Sequence, residues 1–286
     1  MSTFKSKYKL ILSGNAMLNK RYTLDKKIGE GGLSEVYDVS DIYSQYFQDT
    51  RNLVIKIPSS EIANKKDVAA FVYSEYSLLN SLHHENIVKA VDFGIDEESS
   101  IPYLIMQKLE GDLLVNIALH EIDIKMKHNL ASSLYKAILY MHNKGIVHAD
   151  INPTNIMMSA DGNAQLFDFG ISQNVGTKKT FSLAIEKNNA YNPIYTAPEI
   201  FEGEAASYKT DLFSLACVLY ELYTGELPFK NSSRELATKP LGRKNLEKIP
   251  LIQRAWFKKM LSHNPNLRPE KIPLYTRFIV YINNCI

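Results

Sequence analysis

The chain has 286 residues, 45% of them hydrophobic, and its 33 Lys and Arg residues nearly balance 31 Asp and Glu residues. This composition suits one large folded unit or two modest lobes, and it excludes a disordered or fibrous chain. The formal charge of +2 gives no reason to expect nucleic-acid or membrane binding, and no apolar window reaches the ~20 residues of a membrane-spanning helix. The two cysteines, Cys217 and Cys285, argue against a disulfide framework and predict a reducing, cytoplasmic location.

The first predicted element is a hairpin over residues 22–39, where apolar and polar residues alternate on either side of a glycine cluster. Gly29, Gly31 and Gly32 allow backbone N–H groups to approach a phosphate closely. A Gly-rich hairpin tip is more often an ordinary turn, so this pattern alone is a weak indication of phosphate binding. The following residues 39–52 are predicted to be a surface excursion between two strands.

Residues 53–57 are predicted to form a strand that contains a single lysine, Lys56. If the strand is buried, the ammonium needs an acid or a phosphate; in a half-exposed strand, Lys56 would face solvent. The predicted helix over residues 67–83 supplies a partner, because Glu75 lies within its apolar stripe. A carboxylate facing a core is rarely unpaired, so we predict an ion pair between Glu75 and Lys56 that holds the lysine for a phosphate.

The centre of the chain carries a loop rich in polar side chains. A strand over residues 103–107 is followed by a helix over residues 124–143, which ends at a Lys-Gly signal. The segments "IVHADINPTNIMM" and "AQLFDFG" then predict two short apolar strands. Asp150 and Asn155 precede these strands and Asp168 follows them, which predicts that the strands present all three side chains together.

The chain resembles the eukaryotic-type protein kinase family from about Tyr22 to its last helix. The matching features, in chain order, are Gly29, Gly31 and Val36 of the Gly-rich loop, Lys56 in "LVIK", Glu75, "HADINPTN", "DFG" at 168–170, "APE" at 197–199, Asp211 and Arg268. One such motif could arise by chance, whereas the ordered series is very specific. The resemblance implies a two-lobed α+β fold: a small antiparallel β-sheet N-lobe with one main helix over residues 22–107, and a larger, mainly helical C-lobe over 108–286. Residues 1–21 would be an N-terminal extension with no assigned chemistry.

The resemblance also implies a function, namely transfer of the γ-phosphate of ATP to Ser or Thr hydroxyls of protein substrates with the help of Mg²⁺. Lys56, held by Glu75, would bind the α- and β-phosphates, and Asp168 and Asn155 would bind Mg²⁺ through hard oxygen ligands. Asp150 would orient the acceptor hydroxyl and take its proton. The other nucleotide contacts that the resemblance implies are Gly29, Gly31, Gly32, Ser34 and Val36 of the loop, Met106 behind the adenine, and the hinge backbone at Gln107, Lys108 and Leu109.

The resemblance assigns structural roles to further residues. His148 would pack between the lobes with Leu79 and Phe169, as a hydrogen-bonded side chain and not as a base. Arg268 would pair with Glu199 of the "APE" motif. A simpler interpretation of the two aspartates Asp150 and Asp168, that they only cap backbone N–H groups, fits their residue type but not their ordered spacing.

Two small residues replace typical members of the motifs. Ser34 stands where the third glycine of the loop would be, a position that tolerates a small side chain. Ala149 replaces the arginine that draws a phosphorylated activation loop into order through its bidentate guanidinium. We therefore predict activity without phosphorylation of that loop, although Thr177, Thr180 and Ser182 could still be modified.

Two amides mark a further departure. Asn152 replaces the lysine that touches the transferring phosphate in Ser/Thr-specific kinases, and Asn192 stands where these enzymes have a threonine that contacts that lysine. We expect the two amides to hydrogen-bond each other and so to shape the loop. Because one positive charge is missing, charge stabilisation should depend more on Mg²⁺ and Lys56, and the preference for Ser/Thr over Tyr stays open.

Two other functions compete with this interpretation. A small-molecule phosphotransferase of the aminoglycoside or choline kinase type often has a small residue between the loop histidine and aspartate, but the "DFG" and "APE" motifs, Asp211 and Arg268 argue for the protein kinase C-lobe. An ATP-binding pseudokinase scaffold is disfavoured because every residue expected to touch ATP or metal is present. Oligomeric state and pathway cannot be read from the sequence. Its Asn- and Lys-rich usage would suit a bacterial kinase or an exported effector acting in a host cytosol.

Overall fold

A computed structural model of the chain describes residues 17–175, 191–229, 246–249 and 251–271. Among these, one unit comprises residues 17–83 and 88–109, and a second unit comprises residues 84–87, 110–175 and the described residues from 191 onward. The three activation-loop hydroxyls named above, together with residues 1–16 and Cys285, lie outside the described residues.

The first unit is built on a six-stranded antiparallel sheet with the order β1-β2-β3-β4-β6-β5. Its strands are β1 (Met17–Leu18), β2 (Tyr22–Glu30), β3 (Ser34–Asp41), β4 (Leu53–Pro58), β5 (Ala90–Ile95) and β6 (Pro102–Gln107). The predicted hairpin and the predicted strands at 53–57 and 103–107 are therefore confirmed. The sheet also begins earlier than the sequence suggested, since β1 lies within the segment predicted to be an extension.

The central strand β4 is buried along its whole length. Alternate residues of a strand point to opposite faces, so Ile55 and Ile57 enter one apolar cluster while Lys56 points to the other face. Helix α2 (Val68–Ser81) packs against β4, β5 and β6. Its buried residues, including Glu75, recur at helical spacing, so the helix presents a carboxylate within an apolar stripe.

A short helix, α1 (Ile42–Phe47), forms within the segment that was predicted to be a surface excursion. Asp41 caps its first turn by accepting a hydrogen bond from the N–H of Tyr43 at 3.0 Å. The helix ends at Gln48, whose backbone is left-handed with φ 53°. The guanidinium of Arg21 binds the same Asp41 carboxylate at 2.8 Å, which ties the helix to the sheet.

The second unit contains four helices within the described residues: α3 (Ile124–Asn143), α4 (Pro198–Phe201), α5 (Tyr208–Thr224) and α6 (Leu251–Met260). Helix α3 has the bounds that the sequence predicted, because Asp123 caps its start at 2.8 Å from the N–H of Met126 and Gly145, with φ 77°, follows its end. Helix α5 is the buried centre of this unit, and its Cys217 has no exposed surface. Burial raises the pKa of the Cys217 thiol well above its ordinary value.

Short strands frame the loops that carry the predicted catalytic side chains. Strands β7 (Asp112–Leu113), β9 (Ile156–Met158) and β10 (Ala164–Leu166) form an antiparallel sheet, and β8 (Ile146–Val147) pairs with β11 (Gln173–Asn174). In the parts of the chain that the structure describes, short 3₁₀ helices occur at Leu114–Asn116, Pro153–Asn155 and Pro265–Leu267. The "HADINPTN" loop thus runs from β8 to β9, and the "DFG" segment runs from β10 to β11.

No helix in the described parts of the chain is both long enough and apolar enough to cross a membrane.

Candidate active site

In the first unit, Lys56 and Glu75 form the predicted ion pair. The Nζ atom of Lys56 lies 2.7 Å from Oε1 and 2.8 Å from Oε2 of Glu75. The two residues are only 6% and 2% exposed, so solvent screens their charges little. The half-exposed alternative for Lys56 is therefore wrong, and the glutamate fixes the position of the ammonium.

The Gly-rich turn between β2 and β3 is closed by a hydrogen bond from the N–H of Gly31 to the carbonyl of Ser34 at 2.8 Å. Gly29 stands opposite Val36 in the hairpin register. A side chain at Gly32 would meet no atom within 4 Å, and neither Gly31 nor Gly32 has a positive φ. Neither position therefore needs glycine for the conformation of the turn, and glycine leaves the backbone here uncovered by a side chain.

The predicted hinge has backbone donors at Gln107, Lys108 and Leu109. Met106 is buried in β6, and the N–H groups of Gln107 and Lys108 bind the carbonyls of Lys89 and Asn52 at 3.0 and 2.9 Å. Those two donors are therefore engaged within the first unit. No hydrogen bond from the N–H of Leu109 occurs among the described residues.

In the second unit, the carboxylate of Asp150 is held on both oxygens. Its Oδ1 accepts a hydrogen bond from Nδ2 of Asn152 at 2.9 Å, and its Oδ2 accepts one from Nδ2 of Asn155 at 2.7 Å. The backbone of Asn192 also hydrogen-bonds this carboxylate. Asp150 is partly exposed while both amide side chains are buried, so the amides hold the carboxylate in a fixed position.

Burial and the nearby charge of Asp168 raise the pKa of Asp150 to about 7. The hydrogen bonds from Asn155 and Asn152 act in the opposite direction, because they stabilise the ionised form. A group with a pKa near neutrality suits proton transfer at neutral pH.

Asp211 on helix α5 anchors the loop through its main chain. The backbone N–H groups of His148 and Ala149 each donate to the Asp211 carboxylate at 2.9 Å. Nε2 of His142, on helix α3, lies 2.9 Å from the same carboxylate, which is fully buried. One aspartate therefore joins two helices to the residues immediately before Asp150.

His148 packs against Phe169, one of the two partners that were predicted for it, while packing against Leu79 of the first unit stays a prediction. Its Nε2 hydrogen-bonds the carbonyl of Phe167 at 3.2 Å, and its Nδ1 accepts the N–H of Asp150 at 3.2 Å. Its ring meets that of Phe169 edge to face at 4.6 Å. Since both ring nitrogens are engaged and the residue has no exposed surface, His148 is not a base.

Ala149 is 3% exposed and has a left-handed backbone with φ 70°. This conformation is uncommon for residues other than glycine, asparagine and aspartate, and it costs roughly 1–2 kcal/mol for an ordinary side chain. The two backbone hydrogen bonds to Asp211 hold the loop in this conformation.

Asn155 and Asp168 present oxygen atoms that suit a hard cation. Nδ2 of Asn155 donates to the carbonyl and to Oδ2 of Asp150 at 2.9 and 2.7 Å, so its orientation is fixed. No hydrogen bond to its amide oxygen is found within the described residues, and an amide oxygen is the kind of hard ligand that Mg²⁺ prefers. Asp168 lies in a left-handed conformation with φ 62° and accepts the N–H of Gly170 at 3.3 Å.

The described residues contain no group of three or more His, Cys, Asp or Glu side chains that could hold a metal. Mg²⁺ needs no such group, because it is usually bound by one or two carboxylates together with substrate phosphates and water. One carboxylate and one amide, as offered by Asp168 and Asn155, therefore fit this cation.

The prediction that the side chains of Asn152 and Asn192 hydrogen-bond each other is wrong. Oδ1 of Asn152 accepts the N–H of Thr154 at 2.9 Å and also the Thr154 hydroxyl, while Oδ1 of Asn192 accepts the N–H of Ile194 at 3.0 Å. Each amide oxygen thus binds a backbone donor two residues ahead, a contact that forms locally without the help of the fold. Asn152 binds the Asp150 carboxylate through its side chain and Asn192 binds it through its backbone, while the two amide side chains do not bind each other.

The predicted pair of Arg268 and Glu199 is confirmed. Nη1 and Nη2 of Arg268 lie 2.7 and 3.0 Å from the two carboxylate oxygens of Glu199, and both residues are 2% exposed. The guanidinium also lies over the ring of Phe213 at 4.6 Å. This bidentate pair joins the "APE" motif to Arg268, the residue that follows the 3₁₀ helix Pro265–Leu267.

The roles of His142 and Thr154 were not predicted from the sequence. His142 lies in the last turn of α3, and nothing in the sequence shows that Asp211 lies beside it. A signal for Thr154 was present, because Asn-Pro favours turn initiation and Asn is a preferred cap. This signal indicates that Asn152 caps the turn formed by Pro153–Asn155.

Residues 22–279 match the family model for the protein kinase domain. The chain is similar to serine/threonine-protein kinase PrkC of Bacillus subtilis, with 33% identity over 76% of this chain and 32% of that protein. It is also similar to serine/threonine-protein kinase PknB of Mycobacterium tuberculosis, with 30% identity over 76% of this chain and 34% of that protein. A probable PknB of Bifidobacterium longum is 28% identical over 94% of this chain and 40% of that protein.

The matched part of each of these relatives is thus well under half of its length. The family model, by contrast, covers most of the present chain and includes every residue of the arrangement described above. The chain therefore belongs to the protein kinase domain family.

Proposed function

We propose that the protein is a Ser/Thr protein kinase that uses ATP and Mg²⁺. Membership of the protein kinase family implies the use of ATP, a divalent cation and protein substrates in general. The observation that carries the proposal is the Asp150 carboxylate, held at Oδ1 by Asn152 and at Oδ2 by Asn155. Relatives named as serine/threonine-protein kinases support the choice of acceptor hydroxyl.

The proposed reaction joins the hydroxyl oxygen of the substrate to the γ-phosphorus of ATP, while the bond from that phosphorus to ADP breaks. Asp150 accepts a hydrogen bond from the hydroxyl and takes its proton as the new bond forms. Lys56, held by Glu75, neutralises charge on the α- and β-phosphates. When bound to Asp168 and Asn155, Mg²⁺ supplies further neutralisation of phosphate charge.

The remaining nucleotide contacts are proposed from the first unit. The backbone of Gly29, Gly31, Gly32 and Ser34 would cover the phosphates, with Val36 against the base. Leu109 would donate its N–H to adenine, and Gln107 would contribute its carbonyl. Met106 would line the pocket from the core, where it is buried.

We also propose that the kinase is active without phosphorylation of its activation loop. Ala149 offers only a buried methyl group where an arginine would receive a phosphate. Its backbone is already held by Asp211, so the loop conformation does not depend on an added charge. A cytoplasmic location stays a prediction from the composition.

The test measures transfer of labelled γ-phosphate from ATP to Ser, Thr and Tyr peptides and to aminoglycoside and choline acceptors. We expect labelling of Ser and Thr peptides, loss of labelling in EDTA, and at least ~100-fold lower rates for Asp150→Ala and Lys56→Ala. Asp161→Asn, in an exposed turn, is the matched control and should retain the full rate.

Labelling of small molecules alone would contradict the proposal and favour the small-molecule phosphotransferase. If ATP binds but no acceptor is labelled, the pseudokinase scaffold is the better description.

A further inference from the structure

We propose that Asn152, oriented by Thr154, is a positioning residue that fixes the plane of the Asp150 carboxylate for the acceptor hydroxyl. The inference rests on the proposed kinase function. Asn152 stands where a lysine that touches phosphate was expected, but its contacts lie within the loop itself. The residue is 1% exposed, so its amide is shielded from competing water.

Both ends of the Asn152 amide are fixed. Nδ2 donates to Oδ1 of Asp150 at 2.9 Å, and Oδ1 accepts the N–H of Thr154 at 2.9 Å together with the Thr154 hydroxyl. Rotating the amide by half a turn would bring its oxygen against the carboxylate and its NH₂ group against an N–H donor. Each reversed contact is repulsive, so Thr154 determines which end of Asn152 faces Asp150.

The amide donor of Asn152 restrains the rotation of the Asp150 carboxylate because it binds Oδ1, the oxygen that Asn155 does not hold. Asn155 holds Oδ2 at 2.7 Å and the backbone of Asn192 adds a further hydrogen bond, so without Asn152 the carboxylate would keep these restraints but regain some freedom to rotate about its bond to the β-carbon. The second donor on Oδ1 removes most of that freedom. The lone pairs that are left for the substrate hydroxyl then point in one direction, which is the requirement for a base that must meet a particular proton.

A purely structural role must be separated from this one, because Asn152 also caps the 3₁₀ helix Pro153–Asn155. Serine and aspartate are good caps but lack the amide donor, so Asn152→Ser and Asn152→Asp keep the cap and lose the contact with Asp150. Thr154 is exposed, so Thr154→Val removes the hydroxyl without threatening the fold, and Thr154→Ser restores it.

The experiment measures kcat, KM for ATP and KM for a Ser/Thr peptide, the single-turnover rate of transfer, and the thermal midpoint of each variant. For Asn152→Ser we expect kcat and the single-turnover rate to fall by about 10- to 100-fold, with both KM values and the midpoint unchanged. Asn152→Asp should lower kcat at least as much, and it should also lower the midpoint because it places a second buried carboxylate against Asp150. Thr154→Val should lower kcat by a smaller factor, and Thr154→Ser should recover the normal value.

A double-mutant cycle tests whether Thr154 acts through Asn152. Once Asn152 is serine, the change Thr154→Val should lower kcat no further. Full additivity of the two changes would overturn the inference, as would a normal kcat in Asn152→Ser or a loss confined to KM. If Asn152 variants fail to fold, a normal single-turnover rate in Thr154→Val would overturn it. Failure of the proposed function is distinguishable, because the unsubstituted protein would then label no Ser or Thr peptide.

Discussion

Glu75 binds Lys56 through both of its carboxylate oxygens, at 2.7 and 2.8 Å, where both side chains are nearly inaccessible to water. Replacing either partner alone leaves the other charge buried. A buried charge that loses this partner is costlier to the fold than the loss of the whole pair.

We predict that Glu75→Leu lowers the free energy of unfolding by about 3–5 kcal/mol and also abolishes phosphate transfer. The double variant Lys56→Met with Glu75→Leu should regain most of that stability, because it removes both charges, while it remains inactive. Urea denaturation and the peptide kinase assay measure the two effects. A double variant no more stable than Glu75→Leu would show that the buried ammonium is not the source of the instability.

Arg268 and Glu199 form a buried pair of a different kind, since the planar guanidinium matches both carboxylate oxygens. We predict that Arg268→Lys lowers the free energy of unfolding by about 2–5 kcal/mol, because an ammonium cannot make both contacts. Arg51→Lys is the matched control: Arg51 pairs with Asp49 at an exposed position, so its substitution should change stability by less than about 1 kcal/mol. Equal effects in the two variants, measured by thermal denaturation, would contradict the prediction.

Asp211 should be required for catalysis although it lies outside the reacting groups. Asp211→Asn loses one acceptor oxygen for the N–H groups of His148 and Ala149, so the loop backbone before Asp150 loses a restraint. We expect kcat to fall by about 10-fold or more, with KM for ATP changing by less. Steady-state kinetics at matched temperatures below the thermal midpoint give the measurement, and a normal kcat would show that the loop holds its conformation without this anchor.

The left-handed conformation of Ala149 makes the loop sensitive to branching at this residue. We predict that Ala149→Val lowers the free energy of unfolding by about 1–3 kcal/mol, because a β-branched side chain fits this conformation poorly. Ala149→Gly, which adopts it freely, should be at least as stable as the unsubstituted protein. Urea denaturation compares the two, and a glycine variant less stable than the valine variant would refute the explanation.

Activity should not require the activation-loop hydroxyls. Alanine at Thr177, Thr180 and Ser182 together is expected to leave the rate of peptide phosphorylation within about 2-fold of normal, because no arginine precedes Asp150 to receive a phosphate. Mass spectrometry of the unsubstituted protein shows whether these residues are phosphorylated. Loss of activity in the triple variant, with its thermal midpoint unchanged, would rule against this prediction.

The sequence was most informative where local chemistry decides the structure. Helix α3 was predicted with its bounds because apolar residues recur at helical spacing and a Lys-Gly signal marks its end, and the structure adds a capping aspartate at its start. The partner of Lys56 was predicted because a carboxylate within an apolar helix stripe needs a cation. Both conclusions depend on patterns that can be read along the chain.

The sequence was least informative about which donor meets which acceptor. The amide oxygens of Asn152 and Asn192 had several possible donors. Each binds a backbone N–H two residues ahead, because such a local contact costs little additional conformational entropy. The contact of His142 with Asp211 joins two helices, so it depends on packing that no local pattern reveals. Residue types thus indicated the chemistry, and the fold decided the pairing.

Cys217 lies at the centre of helix α5 with no exposed surface, and burial disfavours its thiolate. A thiol in this position cannot react with a maleimide until the helix separates from its neighbours. The rate at which Cys217 is labelled therefore measures how often the second unit opens, and a bound substrate or inhibitor that stabilises this unit would slow the labelling without any assay of phosphate transfer.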